Sequence, residues 1–166
     1  AMLLHDEGKL HDYRNQYLPY SREPFQLVSA VCHQHHFFLV TVSFDANSEQ
    51  VFNDVRVYDS LINVVERHNR KVSRDTTAGQ VLIQLQKFLS RFSFFSSSCN
   101  TLLENNKTYI LNNAEYKACP QQYGTLDCGL FTLVALLHFV NDVPLDKNTF
   151  DQVQHISQLR RALYEV

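Results

Sequence analysis

A run of mostly apolar residues at positions 128–140, CGLFTLVALLHFV, constrains the fold of this chain more than any other segment. Only Thr132 and His138 interrupt it, and it is too short to cross a bilayer, which takes about 20 apolar residues. A helix that is hydrophobic nearly all round has to be covered by other elements. The sequence therefore predicts a central helix that begins at Cys128 and ends before Pro144.

The composition is that of one ordinary globular domain. The 166 residues are 45% hydrophobic and 19% charged, which is enough apolar material for a core. The sequence has no internal repeat and no linker rich in Gly or Pro, so we predict one domain over residues 1–166, with residues 1–24 as an N-terminal arm. A net charge of -2 argues against nucleic acid or an anionic membrane surface as a partner.

The cysteines are scattered without the spacing of a disulfide framework, in a chain too large to need disulfide staples. They are Cys32, Cys99, Cys119 and Cys128. We therefore expect reduced thiols and a location in the cytosol or nucleus, or in a host cell if the protein is a pathogen effector. The opening residues have no basic stretch followed by an apolar one, so we expect no secretory signal.

Runs of β-branched and aromatic residues predict strands at 25–31, 37–44, 51–58 and, more briefly, 108–111. Residues 45–48, DANS, are typical of a hairpin turn between the second and third runs. These two strands are therefore expected to pair in an antiparallel arrangement.

Helical spacing follows the third predicted strand. A capping box of Thr77 and Gln80 predicts a helix start, and the apolar residues that follow share one face: Val81, Leu82, Leu85, Phe88, Leu89 and Phe92. Residues 93–106, with three consecutive serines, predict a loop. A last helix is predicted from Thr149, with Gln152 as capping partner, and its apolar residues are expected to face the body: Phe150, Val153, Ile156, Leu159 and Leu163.

The segment CPQQYGTLDCGLF at 119–131 delivers Cys128 to the start of the central helix through a Gly-containing turn. Unpaired N–H groups and the helix dipole at that end favour a thiolate, and the same N–H groups can bind an oxyanion. A thiolate nucleophile needs an imidazole to transfer its proton, and the imidazole needs a partner on its other nitrogen. If the second and third strands pair, His36 and Asp59 become neighbours at one edge of the sheet.

Other interpretations of these residues stay open. His35 is the rival base, Asp54 is the fallback for Asp59, and Asp59 could instead cap a following helix. Asp127 could be only a helix cap. The Cys and His residues at 32–36 could bind a metal, but adjacent strand residues point to opposite faces and no C-x-x-C or H-x-x-x-H pair completes four ligands. We therefore expect no metal.

These motifs resemble those of the ubiquitin-like proteases, the sentrin- or SUMO-specific cysteine peptidases, which share a clan with the adenoviral cysteine proteinase. In that family a Gln lies six positions before the nucleophile, which selects Gln122 over Gln121. The sequence HFFLV at 36–40 is similar to the base motif, which selects His36 over His35. The sequence YDSL at 58–61 is similar to the element that carries the third residue, here Asp59.

The resemblance implies an α+β fold of the papain-like cysteine proteinase type, with a central helix headed by the nucleophile and packed on a mainly antiparallel sheet. It implies a Cys-His-Asp triad of Cys128, His36 and Asp59, with Gln122 in the oxyanion hole and no cofactor. The implied reaction removes or processes a ubiquitin-like modifier such as SUMO, a NEDD-type protein or ubiquitin. We expect these modifiers and their conjugates as partners of a monomeric enzyme.

The chain departs from the family in two features that bear on the substrate. The family usually has a Trp after the base and another well upstream, which together flatten the tunnel around a Gly-Gly tail, whereas this chain has no Trp and carries Phe37 after the base. It also has few residues before His36, where the family normally carries helices that grip the ubiquitin-like body. We assign Phe37 to substrate binding. The alternative functions are an acetyltransferase of the same clan that uses acetyl-coenzyme A, a proteinase of the adenoviral type that cuts ordinary peptide bonds, and a non-catalytic module that binds a ubiquitin-like protein.

Overall fold

The computed structural model describes residues 24–45, 51–62, 68–90, 97–122, 127–143, 145 and 155–164. The predicted arm at 1–24, except Pro24, and the predicted start of the last helix at Thr149 lie outside this part. The mixture of a four-stranded sheet with helices confirms the predicted α+β class. Its elements follow in this order: β1 Phe25–His33, β2 His36–Phe44, β3 Phe52–Tyr58, α1 Thr77–Leu89, α2 Ser97–Asn105, α3 Tyr109–Asn112, β4 Ala114–Tyr116, α4 Cys128–Val140 and α5 Ser157–Tyr164.

The sheet has the strand order β1-β2-β3-β4, with antiparallel pairing except between β3 and β4, which run parallel. The predicted first three strands are confirmed. Gln34 and His35 alone connect β1 to β2, and both have positive φ, 50° and 63°, as the central residues of a type I′ turn require. Neither residue is typical of that turn, and β4 has only three residues, so neither feature was predicted.

An extra residue in β3 shifts its register against β2. Thr41 pairs with Arg56, but Ser43 pairs with Asn53, so one residue of β2 stands opposite two of β3. Asp54 lies in this bulge with a φ of 52°. Because a one-residue shift changes which side chains share a face, the bulge determines which residues at the end of β3 stand beside the start of β2.

β2 is the most deeply buried strand among the described residues. Phe38, Val40 and Val42 belong to the main hydrophobic cluster, together with residues of α1, α2, α3, β3 and β4. Leu39 and Thr41 point to the opposite face, because side chains alternate along a strand, and they are also fully buried. α4 packs against β2 and contributes no residue to the main cluster, so it covers this second face.

The N-cap of α1 lies one residue earlier than the sequence predicts. The N-cap is Thr76 rather than Thr77, and its Oγ1 accepts a hydrogen bond of 3.0 Å from the Gly79 N–H. The most buried face of the helix is also shifted relative to the predicted one. Its fully or nearly fully buried residues are Ala78, Gly79, Leu82, Gln86 and Leu89, while Val81, Leu85 and Phe88 are only partly buried against the cluster.

The predictions of a loop at 93–106 and a strand at 108–111 are wrong over the described residues, which form α2 and α3. The buried side chain of Gln86 explains how the two short helices are held. Its Nε2 donates to the carbonyl oxygens of Leu103 and Asn106, and its Oε1 accepts from the Ile110 N–H at 3.0 Å. These bonds join residues that are distant in sequence, so local composition does not indicate them. Local composition alone favours a loop and a strand in this segment, which is why the prediction was wrong.

α4 is confirmed where the sequence predicts it, from Cys128 onward. Phe131 and Val134 form a second small cluster with Ile156, and Leu159 of α5 packs against it, as expected for the last helix. The prediction that Leu163 also faces the body is wrong, because this side chain is exposed one turn further on. Within the described ranges no helix has the length and apolar character needed to span a membrane.

Gly79 provides a test of how tightly α1 packs against the segment that contains Ser73. A Cβ at this position would lie 2.0 Å from the backbone oxygen of Ser73, which cannot give way as a flexible side chain would. We expect Gly79→Ala to lower the free energy of unfolding by about 2 kcal/mol, although Ala is intrinsically favoured over Gly in a helix by about 1 kcal/mol. Urea denaturation measures the change.

The matched control is Gln80→Ala, at an exposed position in the same turn, which should stay within about 0.5 kcal/mol of the wild type. Wild-type stability or better in Gly79→Ala would contradict the described approach of α1 to the segment that contains Ser73.

Candidate functional site

The thiol of Cys128 lies at the first residue of α4. The backbone oxygen of Asp127 accepts a hydrogen bond of 3.0 Å from the Phe131 N–H, which closes the first turn. Cys128 is 5% exposed, and its Sγ lies 4.0 Å from the backbone oxygen of His35 in the β1–β2 turn. The helix N-terminus therefore places unpaired N–H groups and a partial positive charge beside this sulfur.

The structure brings His36 and Asp59 together. His36 is the first residue of β2 and Asp59 directly follows β3, and the antiparallel pairing puts these two strand ends side by side. Nε2 of His36 lies 2.8 Å from Oδ1 of Asp59. Because an ionised carboxylate can only accept, Nε2 carries the proton of this bond. This fixes the orientation of the imidazole ring.

The alternative role of Asp59 as a helix cap is not seen among the described residues, where a turn and not a helix follows it. Its Oδ1 accepts a second hydrogen bond of 2.8 Å from the Leu61 N–H, two residues further on, as in an Asx turn. The local bond holds the carboxylate in place for the contact with His36.

His36 interacts with Cys128 as well as with Asp59. Nδ1 is buried and has no hydrogen-bond partner among the described residues. The hydrogen bond to Asp59 raises the pKa of His36 above its usual value, although burial opposes this, and interaction with Cys128 raises the pKa further. Nδ1 is thus the ring nitrogen that Asp59 does not engage.

The rival residues make other contacts. His35 lies in the β1–β2 turn, where only its backbone oxygen is described in contact with Cys128. Asp54 forms an ion pair with Arg56 on β3. Over the described ranges, no group of three or more His, Cys, Asp or Glu is arranged to hold a metal ion.

Gln122 is tied to the loop that carries Asp59. Its Oε1 accepts a hydrogen bond of 2.8 Å from the Ser60 hydroxyl, and its backbone N–H donates to the Ser60 oxygen at 3.0 Å. The side chain is buried, and the bond to Oε1 fixes which end of the amide is the acceptor. Nε2 is therefore the donor end, and a neutral N–H donor is the kind of group that an oxyanion hole uses.

Phe37 lies against the start of α4. Its ring is 3.6 Å from the position of a Cβ built on Gly129, which is ordinary van der Waals contact, and the residue is 40% exposed. An accessible aromatic surface thus stands next to the residue that follows Cys128. This is where a substrate-binding role for Phe37 requires it.

The profile of the Ulp1 protease family, C-terminal catalytic domain, matches residues 29–165 of the chain. The chain belongs to the Ulp1 protease family. The match confirms the predicted ubiquitin-like protease family and agrees with the papain-like architecture of a nucleophile-headed helix on a mainly antiparallel sheet. It also supports the coarse activity, that of a cysteine peptidase. No curated protein matches the chain significantly, and no solved structure does.

One residue of this Ulp1-family site was missed in the sequence. Gln121, set aside in favour of Gln122, donates from Nε2 to the backbone oxygen of Asp59 at 2.9 Å and to that of Cys119 at 3.2 Å. The thiol of Cys119 also contacts the Asp59 oxygen, at 3.3 Å. The two adjacent glutamines therefore support the same loop in different ways. Nothing in residue type or spacing indicates the role of Gln121.

The contact between Ser60 and Gln122 leads to a kinetic test. We expect Ser60→Ala to lower kcat about tenfold, because the buried amide loses the bond that orients it, and a whole oxyanion donor is worth about 100-fold or more. KM should change less. In a Gln122→Ala background, Ser60→Ala should have no further effect, because both changes act through the same amide.

Steady-state peptidase kinetics of the two single variants and the double variant measure this coupling. Ser73→Ala, at an exposed serine outside the site, is the control and should retain wild-type kcat. Independent, multiplicative losses from Ser60→Ala and Gln122→Ala would show that the hydroxyl does not act through the amide.

Proposed function

We propose that this domain removes or processes a ubiquitin-like modifier by hydrolysing the peptide or isopeptide bond that follows the modifier's C-terminal glycine. The observation that carries the proposal is the position of His36, whose ring is bonded to Asp59 through Nε2 and also interacts with Cys128 at the head of α4. Membership of the Ulp1 protease family supports the class of substrate.

Acylation begins with the thiolate of Cys128 and the imidazolium of His36. The thiolate attacks the carbonyl carbon of the modifier's last glycine and forms a tetrahedral oxyanion. His36 then gives its Nδ1 proton to the departing amine, the C–N bond breaks, and a thioester remains on Cys128. Asp59 keeps the ring oriented and stabilises its positive charge throughout.

Deacylation uses the same groups in reverse. Neutral His36 accepts a proton from a water molecule as the water attacks the thioester. Collapse of the second oxyanion breaks the C–S bond and releases the modifier with a free carboxylate, and Cys128 returns as a thiolate beside imidazolium. Nε2 of Gln122 and the backbone N–H of Cys128 are the donors we assign to both oxyanions.

The surroundings of the nucleophile favour a substrate with small residues next to the cleaved bond. The ring of Phe37 lies over Gly129, so one wall beside Cys128 is a flat aromatic surface. A glycine tail has no side chains to meet this wall, and its backbone can approach the sulfur closely. The proposal therefore assigns Phe37 a contact with the modifier's tail, in place of the Trp that the family resemblance implies.

Modifiers with a C-terminal electrophile test this proposal. We expect at least one of SUMO, a NEDD-type protein and ubiquitin to form a covalent adduct, which peptide mass spectrometry should locate at Cys128. Cys128→Ala should form no adduct, because it lacks the nucleophile, and it should stay folded because the removed sulfur contributes little to the core. Cys32→Ala, which removes an exposed thiol on β1, is the matched control and should label fully.

Absence of an adduct with every modifier, in a protein whose Cys128 still reacts with iodoacetamide, would contradict the proposed substrate class. A stable acetyl group on Cys128 after incubation with acetyl-coenzyme A would favour transferase chemistry instead.

A further inference from the structure

An ion pair joins the C-terminal helix to the residue that precedes the nucleophile. Nη2 of Arg160 on α5 contacts Oδ1 of Asp127, immediately before Cys128. The Asp127 side chain is 15% exposed and that of Arg160 is 49% exposed, so the carboxylate is the more enclosed partner. Leu159 of α5 also packs against the small apolar cluster that contains Phe131 and Val134 of α4.

Asp127 does not have the role that its position suggests. It occupies the N-cap of α4, where an Asp side chain commonly accepts a hydrogen bond from an N–H of the first turn. Its side chain makes no such cap bond, and its φ and ψ, −103° and 1°, are not those of an extended N-cap. The contact described for this carboxylate is the one with Arg160.

A carboxylate at this place has an electrostatic consequence for the nucleophile. A negative charge beside a thiol disfavours the thiolate, and enclosure of the charge limits its screening by water. The other titratable side chain described in interaction with Cys128 is His36, with Asp59 behind it, and His35 contacts the sulfur through its backbone oxygen. Arg160 is the cation in direct contact with Asp127.

We propose that Arg160 is a positioning residue that neutralises Asp127 and thereby keeps Cys128 in its reactive thiolate form. The proposal rests on the proposed function, in which Cys128 is the nucleophile. It gives α5 a role in the chemistry in addition to its packing against α4.

The rate of alkylation of Cys128 as a function of pH tests the electrostatic role directly. Iodoacetamide is the probe, peptide mass spectrometry follows Cys128, and exposed Cys32 in the same digest is the internal reference. Because the probe requires no modifier, the result does not depend on whether the proposed substrate is right.

We expect Arg160→Gln to shift the alkylation profile of Cys128 upward by on the order of 0.5 to 1 pH unit, as one uncompensated unit charge nearby requires. At neutral pH this means about three- to tenfold slower alkylation. Asp127→Asn should shift the profile in the acidic direction. The double variant, which again has no net charge at the pair, should return close to the wild-type profile.

Arg161→Gln is the matched control, since it removes the same charge from the next residue of α5, which is exposed. It should leave the profile of Cys128 unchanged. An unshifted profile in Arg160→Gln, or an equal loss of rate at every pH that the double variant does not reverse, would overturn the proposal. If Arg160→Gln does not fold, Asp127→Asn decides alone: an acidic shift supports the proposal and an unchanged profile overturns it.

Discussion

The hydrogen bond between Nε2 of His36 and Oδ1 of Asp59 is the interaction on which the rest of the site depends. It fixes the imidazole ring, holds the proton on Nε2 and leaves Nδ1 without a hydrogen bond among the described residues. The surrounding loop is built to keep the carboxylate in place, since the Leu61 N–H binds the same oxygen and Gln121 binds the Asp59 backbone. The site is thus a chain of contacts from loop to carboxylate to imidazole to thiol.

Different elements of the fold position the two ends of this series of contacts. Antiparallel pairing of β2 with β3 brings His36 to Asp59, and the bulge at Asp54 sets the register that makes them neighbours. α4 packs against β2, and Cys128 is its first residue. The tight β1–β2 turn, with its two residues at positive φ, carries His35 over the sulfur. Such backbone conformations are costly for residues other than Gly, and they often occur at functional sites.

The sequence was most informative where a local pattern and a chemical requirement coincide. The apolar run that starts at Cys128 predicted both the central helix and the placement of a thiol at its N-terminus, and three β-rich runs predicted the sheet. The features that were missed depend on contacts between distant residues: Gln86 holds α2 and α3, Gln121 holds the Asp59 loop, and Arg160 pairs with Asp127. A single sequence contains these residues but does not indicate their partners.

The protonation of His36 tests the central claim most directly. NMR titration of the histidine side chains measures the pKa of His36 in the wild type, in Asp59→Asn and in Cys128→Ala. The His36 signal is assigned by its absence in His36→Gln. A raised pKa means that the imidazolium persists to higher pH, so removing either partner should lower the pKa, and Asp59→Asn should lower it more because that hydrogen bond is the largest cause. An unchanged His36 pKa in both variants would contradict an imidazole shared between Asp59 and Cys128.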